Sequence, residues 1–131
     1  MPGNPPARLP TQQVVAYLAR RIQFGDNGKV ITVGTIPANS QIIKPLSGVA
    51  VNVVFNAGTT NVLDIGTTAD DDLYGTDLAL GTAAFVPLDE VVSYYVTVDT
   101  TFTCTVALTG TAATTGDAVV QIAYIPYVQQ V

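Results

Sequence analysis

The 131-residue chain contains no histidine and no tryptophan, and only one cysteine, Cys104. Without histidine there is no Ser-His-Asp or Cys-His catalytic set and no His-containing zinc site. A lone cysteine forms no internal disulfide and builds no thiolate metal centre, so nothing requires an oxidising compartment. Charged residues make up only 11% of the chain and hydrophobic ones 48%, too apolar a mix for a disordered chain. Yet no apolar run approaches the roughly 18 residues that cross a membrane. The opening Met1-Pro-Gly-Asn-Pro-Pro-Ala-Arg-Leu-Pro10 has no apolar core of a secretory signal. A soluble protein, intracellular when made and with no membrane partner, is the expectation.

Basic residues are also scarce, and they are unevenly placed. All five, Arg8, Arg20, Arg21, Lys29 and Lys44, lie in the first 44 residues, where Asp26 is the one acid, giving +4. Residues 45–131 hold nine acids and no base, giving −9. Such a split speaks about partners more than fold. Five bases on a chain of net charge −5, with no interleaved aromatics, make a poor nucleic-acid footprint. The glycines sit at strand turns rather than before a helix, so no phosphate-binding loop is expected. The five bases are instead candidate contacts to a protein partner with an acidic surface.

What is abundant is threonine, valine and period-two alternation. Residues 1–13, with Pro2, Pro5, Pro6 and Pro10, read as an extended arm, because proline fixes φ and removes a backbone donor. Residues 14–131 read as a single domain. Val14, Leu18 and Ile22 recur at helical spacing, but Leu18, Arg20, Ile22 and Phe24 alternate with Ala19, Arg21 and Gln23. The Asp26-Asn27-Gly28 turn that follows favours a strand entering a hairpin. Strands are expected over 29–36, 41–44 and 61–65, and over 49–55, the last buried on both faces. Between 66 and 91 an irregular, acidic excursion is expected, with one helical turn near Asp70–Tyr74. Then Tyr94, Val96 and Val98, Phe102, Cys104, Val106 and Leu108, and Ala118, Val120, Ile122 and Tyr124 alternate with polar or smaller partners. That is the half-buried strand of an antiparallel sheet. About eight short strands without a long helix predict an all-β, eight-stranded antiparallel jelly-roll sandwich; an immunoglobulin-like sandwich is the alternative, without its Cys and Trp hallmarks.

Four groups of residues invite a chemical reading. Asp70-Asp71-Asp72, with Asp64 and Asp77 nearby, resembles a calcium-binding cluster. The twelve-residue calcium loop does not fit, since counting from Asp70 places Tyr74 at position five and Gly81 at position twelve. A solvated acidic loop is the favoured reading, and no metal or cofactor is expected. Asp89 and Glu90 are adjacent, so on a strand they would face opposite sides, which suits surface charge better than a glycosidase pair. Tyr94, Tyr95, Tyr124 and Tyr127 suit packing or an interface better than a sugar platform. Cys104 lies on the apolar side of its strand and reads as a small core residue. No catalytic residue is assigned.

One resemblance adds to this. Val53-Val-Phe-Asn-Ala-Gly-Thr-Thr-Asn-Val-Leu-Asp-Ile-Gly-Thr-Thr-Ala-Asp-Asp-Asp72, preceded by Ile36-Pro-Ala-Asn-Ser-Gln-Ile-Ile43 and closed by Val119-Val-Gln-Ile-Ala-Tyr-Ile-Pro-Tyr127, resembles the capsid cement (decoration) proteins of short-tailed bacteriophages. The order and spacing of these pieces carry the likeness. It implies a jelly roll without catalysis, bound to the outside of an icosahedral shell across seams between major capsid proteins. It also implies a homo-oligomer, with a dimer favoured over a trimer, made in the host cytoplasm and resident on the virion. The arm at 1–13 departs from shorter family members. A carbohydrate- or receptor-binding jelly roll of a phage fibre or tail is the alternative. The charge split predicts salt-sensitive docking.

Overall fold

The structure, a computed structural model, describes residues 15–126. These residues form ten strands: β1 (Ala16–Gln23), β2 (Val30–Ile36), β3 (Ser40–Ile42), β4 (Gly48–Val53), β5 (Thr60–Gly66), β6 (Gly75–Ala79), β7 (Phe85–Pro87), β8 (Tyr95–Val96), β9 (Thr100–Thr109) and β10 (Asp117–Ile125). Every pairing of named strands is antiparallel.

Strand β10 is the axis of the first sheet. β1 runs along one side of it from Ala16 opposite Tyr124 to Gln23 opposite Asp117. On its other side β4 and β3 lie end to end, and β7 and β8 extend them outward. The second sheet has the order β2-β9-β5-β6.

The core follows from alternation. Phe102, Cys104 and Val106 on β9, Leu63 and Ile65 on β5, and Ala118, Val120 and Ile122 on β10 are fully buried between the sheets. Each large apolar side chain so placed contributes about 1.5–3 kcal/mol relative to exposure. Tyr74 stacks on Phe102 at 4.9 Å between ring centroids, and Tyr94 lies 5.6 Å from Tyr74.

The break between β3 and β4 is a single 3-10 turn, Lys44–Leu46, with Pro45 inside it. Proline removes a ladder donor there, and the buried Ser47 repairs the gap. Its hydroxyl accepts from the Ala123 amide at 3.0 Å and donates to the Ile43 carbonyl at 2.8 Å. The main chain of β10 thus stays satisfied across the interruption.

Several expectations need correction. There are ten strands rather than eight, because the 66–91 stretch holds β6 and β7. β6 escapes the alternation because only Gly75 and Leu78 among its residues are buried. No helical turn forms at Asp70–Tyr74; the chain bends through a Leu73 amide bond to the Asp70 carbonyl. β1 and β2 are not a hairpin, since they belong to different sheets. The corner between them is pinned to β9 instead: the Asn27 side chain accepts from the Leu108 amide at 2.8 Å and donates to its carbonyl at 3.0 Å. Gly28, at φ 77°, takes the left-handed conformation that lets the chain leave this corner. The 49–55 strand is not buried on both faces: Val49, Val51 and Phe55 are inside, Val54 is exposed on the outer face that meets solvent, and Val53 is exposed where β4 ends beside the register shift at Asp117. Val98 is exposed as well, since β8 ends at Val96 and Asp99 turns back to accept from the Ala38 amide at 2.9 Å.

Candidate interaction surface

The outer face of the first sheet is the most distinctive surface. Because Leu18 and Ile22 face inward on β1, Tyr17, Ala19 and Arg21 face out. Register then sets Tyr17 beside Ala123, Ala19 beside Gln121, Val119 beside Ala50, and Ala50 beside Phe85. Tyr17 is 72% exposed, and Val15, Leu46 and Phe85 are also exposed. Val15, Tyr17, Ala19, Leu46, Gln121 and Ala123 line one groove on this face. The charges on these outward positions are Arg21 and Asp117, which neutralise each other through two bonds of 2.9 and 2.7 Å. That contact holds the Asp117 carboxyl below its ordinary range and raises Arg21. Exposed apolar side chains on a sheet face whose two charges are paired suit contact with a partner better than reactive chemistry.

The five bases do not stand alike. Arg8 lies outside the described residues, as does the 1–13 arm. Arg20 and Arg21 alternate to opposite faces of β1. Lys29 sits 3.8 Å from Asp26. Lys44 donates to the Glu90 carbonyl at 3.0 Å and lies 5.3 Å from the centroid of the Tyr94 ring. Among the described residues, Arg20 is the one basic side chain with neither a hydrogen bond nor an ion pair.

The other chemical candidates resolve into structural roles. Asp89 accepts from the Thr76 amide at 3.0 Å and Glu90 from its hydroxyl at 2.6 Å, so both carboxylates reach one residue rather than opposite sides. They anchor the start of β6. Tyr94 donates to the Glu90 carbonyl at 2.6 Å, and burial raises both Tyr94 and Tyr74. Tyr95 donates to Asn39 at 3.1 Å, Tyr124 is half-buried, and Tyr127 lies outside the described residues. These tyrosines form no shared exposed platform among the described residues, so the sugar-binding reading gains no support. Cys104 is fully buried, and burial pushes its thiol up to about 12, with Arg20 opposing and Asp26 adding to the shift. At that value the thiolate that reacts is not populated at neutral pH.

Asp70, Asp71 and Asp72 do come together, with one carboxylate oxygen of each within 4.8 Å of the others. Hydrogen bonding to Asp70 raises Asp72, helped by desolvation and by the charges of Asp70, Asp71 and Asp64. Asp77 does not join through its carboxylate; its amide donates to Asp64 at 2.8 Å. Among the described residues, no helix is long and apolar enough to cross a membrane.

Tyr17, Leu46 and Phe85 are surface residues that sequence reasoning did not single out. For Tyr17 the signal is present in the alternation of β1. For Phe85 it is not, because β7 is too short to show a period.

The class defined by this fold is the two-sheet antiparallel β-sandwich. No family model and no curated protein matches the chain. Among solved structures, a chain of the cyanophage Pam1 capsid asymmetric unit has a similar fold, with a TM-score of 0.57 and 20% sequence identity over 85% of this chain and 82% of that one.

Proposed function

We propose that this chain is a non-enzymatic structural protein of a phage virion, which binds the outside of the capsid and joins neighbouring major capsid proteins. The observation that carries the reading is the apolar, charge-neutral outer face of the first sheet. Its context is a fold similar to that of a chain in a phage capsid asymmetric unit. Cementing needs a rigid body and a broad apolar contact, and it needs no catalytic group. Many identical weak contacts on a shell add through multivalency.

In the same reading the fold is a jelly roll. β3 and β4 count as one strand broken at Pro45, and β7 and β8 as one strand broken over 88–94. The sheets then run 1-10-3/4-7/8 and 2-9-5-6, four strands in each, with β5 and β6 a hairpin within the second. The partners are the major capsid protein and a second copy of this chain, as a dimer. Arg20 and Arg8 are the bases left to meet an acidic partner surface, and the 1–13 arm extends the contact.

Electron microscopy of particles made with and without the protein tests this. The expected result is a protrusion on the outer surface that disappears when the protein is omitted. Identical particle surfaces would overturn it.

A further inference from the structure

The open edges of the two sheets are not alike. β7 and β8 have three and two residues. β6 has five, with Asp77 at φ 51°. β2 has seven, but its register shifts between Thr32 and Gly34. β1 has eight, in unbroken register with β10 and without proline. Short strands and bulges protect an edge from further pairing, and β1 has neither.

One contact fixes which way the main chain of β1 points. Register sets Phe24 opposite Gly116, and the Phe24 amide donates to the Gly116 carbonyl at 3.2 Å. In an antiparallel pair such positions recur every second residue. Ile22, Arg20, Leu18 and Ala16 therefore turn their amides and carbonyls to β10, and Gln23, Arg21, Ala19 and Tyr17 turn theirs away. Gln23 agrees, since its amide donates to the Asp26 carboxylate at 2.8 Å instead. Among the described residues, no hydrogen bond reaches the main chain of Tyr17, Ala19 or Arg21.

We propose that a second copy of this chain adds to this edge, β1 against β1, antiparallel about a two-fold axis at Ala19. The three open positions are self-complementary. Ala19 faces Ala19 of the partner subunit, and Tyr17 faces Arg21 of the partner subunit in both directions. Each facing pair exchanges two main-chain bonds, so within β1 every open amide and carbonyl is used. The side chains suit this register. Ala19 is small at the axis, and the 72% exposed Tyr17 ring meets a guanidinium. Arg21 enters already neutralised by Asp117. Arg20 faces Leu18 of the partner subunit, whereas an axis at Arg20 would set two like charges opposite each other. The 1–13 segment is a poorer occupant, because Pro2, Pro5, Pro6 and Pro10 lack the donor an added strand needs. The pairing makes the first sheet continuous through both copies and sets their outer faces side by side. It takes from the proposed function only the second copy as partner.

The test is sedimentation velocity of the full chain over a range of concentrations, without shells, with amide hydrogen exchange in parallel. The expected result is a monomer–dimer equilibrium. The Tyr17, Ala19 and Arg21 amides should gain protection as the dimer fills, whereas those of Leu18, Arg20 and Ile22 should be protected at every concentration. Ala19→Pro removes an amide that serves no bond within the copy, so it should melt near the parent and dimerise at least about tenfold more weakly. The exchange pattern decides the matter even if that variant does not fold. A monomer at millimolar concentration, a dimer whose Tyr17, Ala19 and Arg21 amides stay unprotected, or protection of those amides in the monomer would each overturn the proposal. With no shells present, the result is independent of capsid attachment.

Discussion

Ser47 carries more than its size suggests. Its hydroxyl occupies the gap that Pro45 opens beside β10, bonding the Ala123 amide and the Ile43 carbonyl in a buried position. Ser47→Ala leaves that amide without a partner, and the expected cost is about 1–3 kcal/mol, read by urea denaturation. At the other end of β10, the Arg21–Asp117 contact has a pH signature. Asp117 is lowered from its ordinary value by Arg21, so its stabilisation is present above the unfolded carboxyl range and is lost as pH falls through the folded value. The stability difference between the parent and Asp117→Asn should therefore be largest near neutral pH and vanish in strong acid. A difference that persists unchanged into acid would contradict this. The partnership was hidden in the sequence because 96 positions separate the two residues. Charge counting finds Arg21; only the pairing of β1 with β10 reveals that it is already neutralised.

The individual strands were the most legible elements. β5, β9 and β10 each alternate because one face of each meets the core, and Leu63, Cys104 and Val120 sit where period two places them. The sheet partners were not legible. The Asp26-Asn27-Gly28 corner has hairpin chemistry, but Asn27 spends its amide on β9, and this sends β2 into the second sheet. β6 and β7 were missed because short strands flanked by glycine and acids show too few residues to establish a period. The same anatomy predicts graded local stability. β9 and β10 are paired on both sides, whereas β7 and β8 are short and each joins only one neighbour. Native-state hydrogen exchange should find the slowest amides in β9 and β10 and the fastest strand amides in β7 and β8. Equal protection across all four would show that the sandwich opens as a single unit. In the core, Phe102→Ala should cost about 3–5 kcal/mol, because it removes both sheet contacts and the Tyr74 stack.

At the scale of the whole molecule, the split of +4 against −9 in the sequence led to an expectation of salt-sensitive docking. The structure changes its weight. Arg21, Lys29 and Lys44 are engaged within the fold, leaving Arg20 among the described bases. The proposed attachment through the first sheet should therefore rest mainly on apolar contact, with a shallow salt dependence. The apolar face itself was not legible as a surface, because composition does not distinguish a buried valine or tyrosine from an exposed one. Co-sedimentation of the protein with purified phage shells is the direct test of the proposed capsid attachment. The expected result is saturable binding by the parent, with affinity reduced at least tenfold in Tyr17→Asp and Phe85→Asp variants that melt like the parent. Absence of binding by the parent, or equal saturation by those variants, would contradict it.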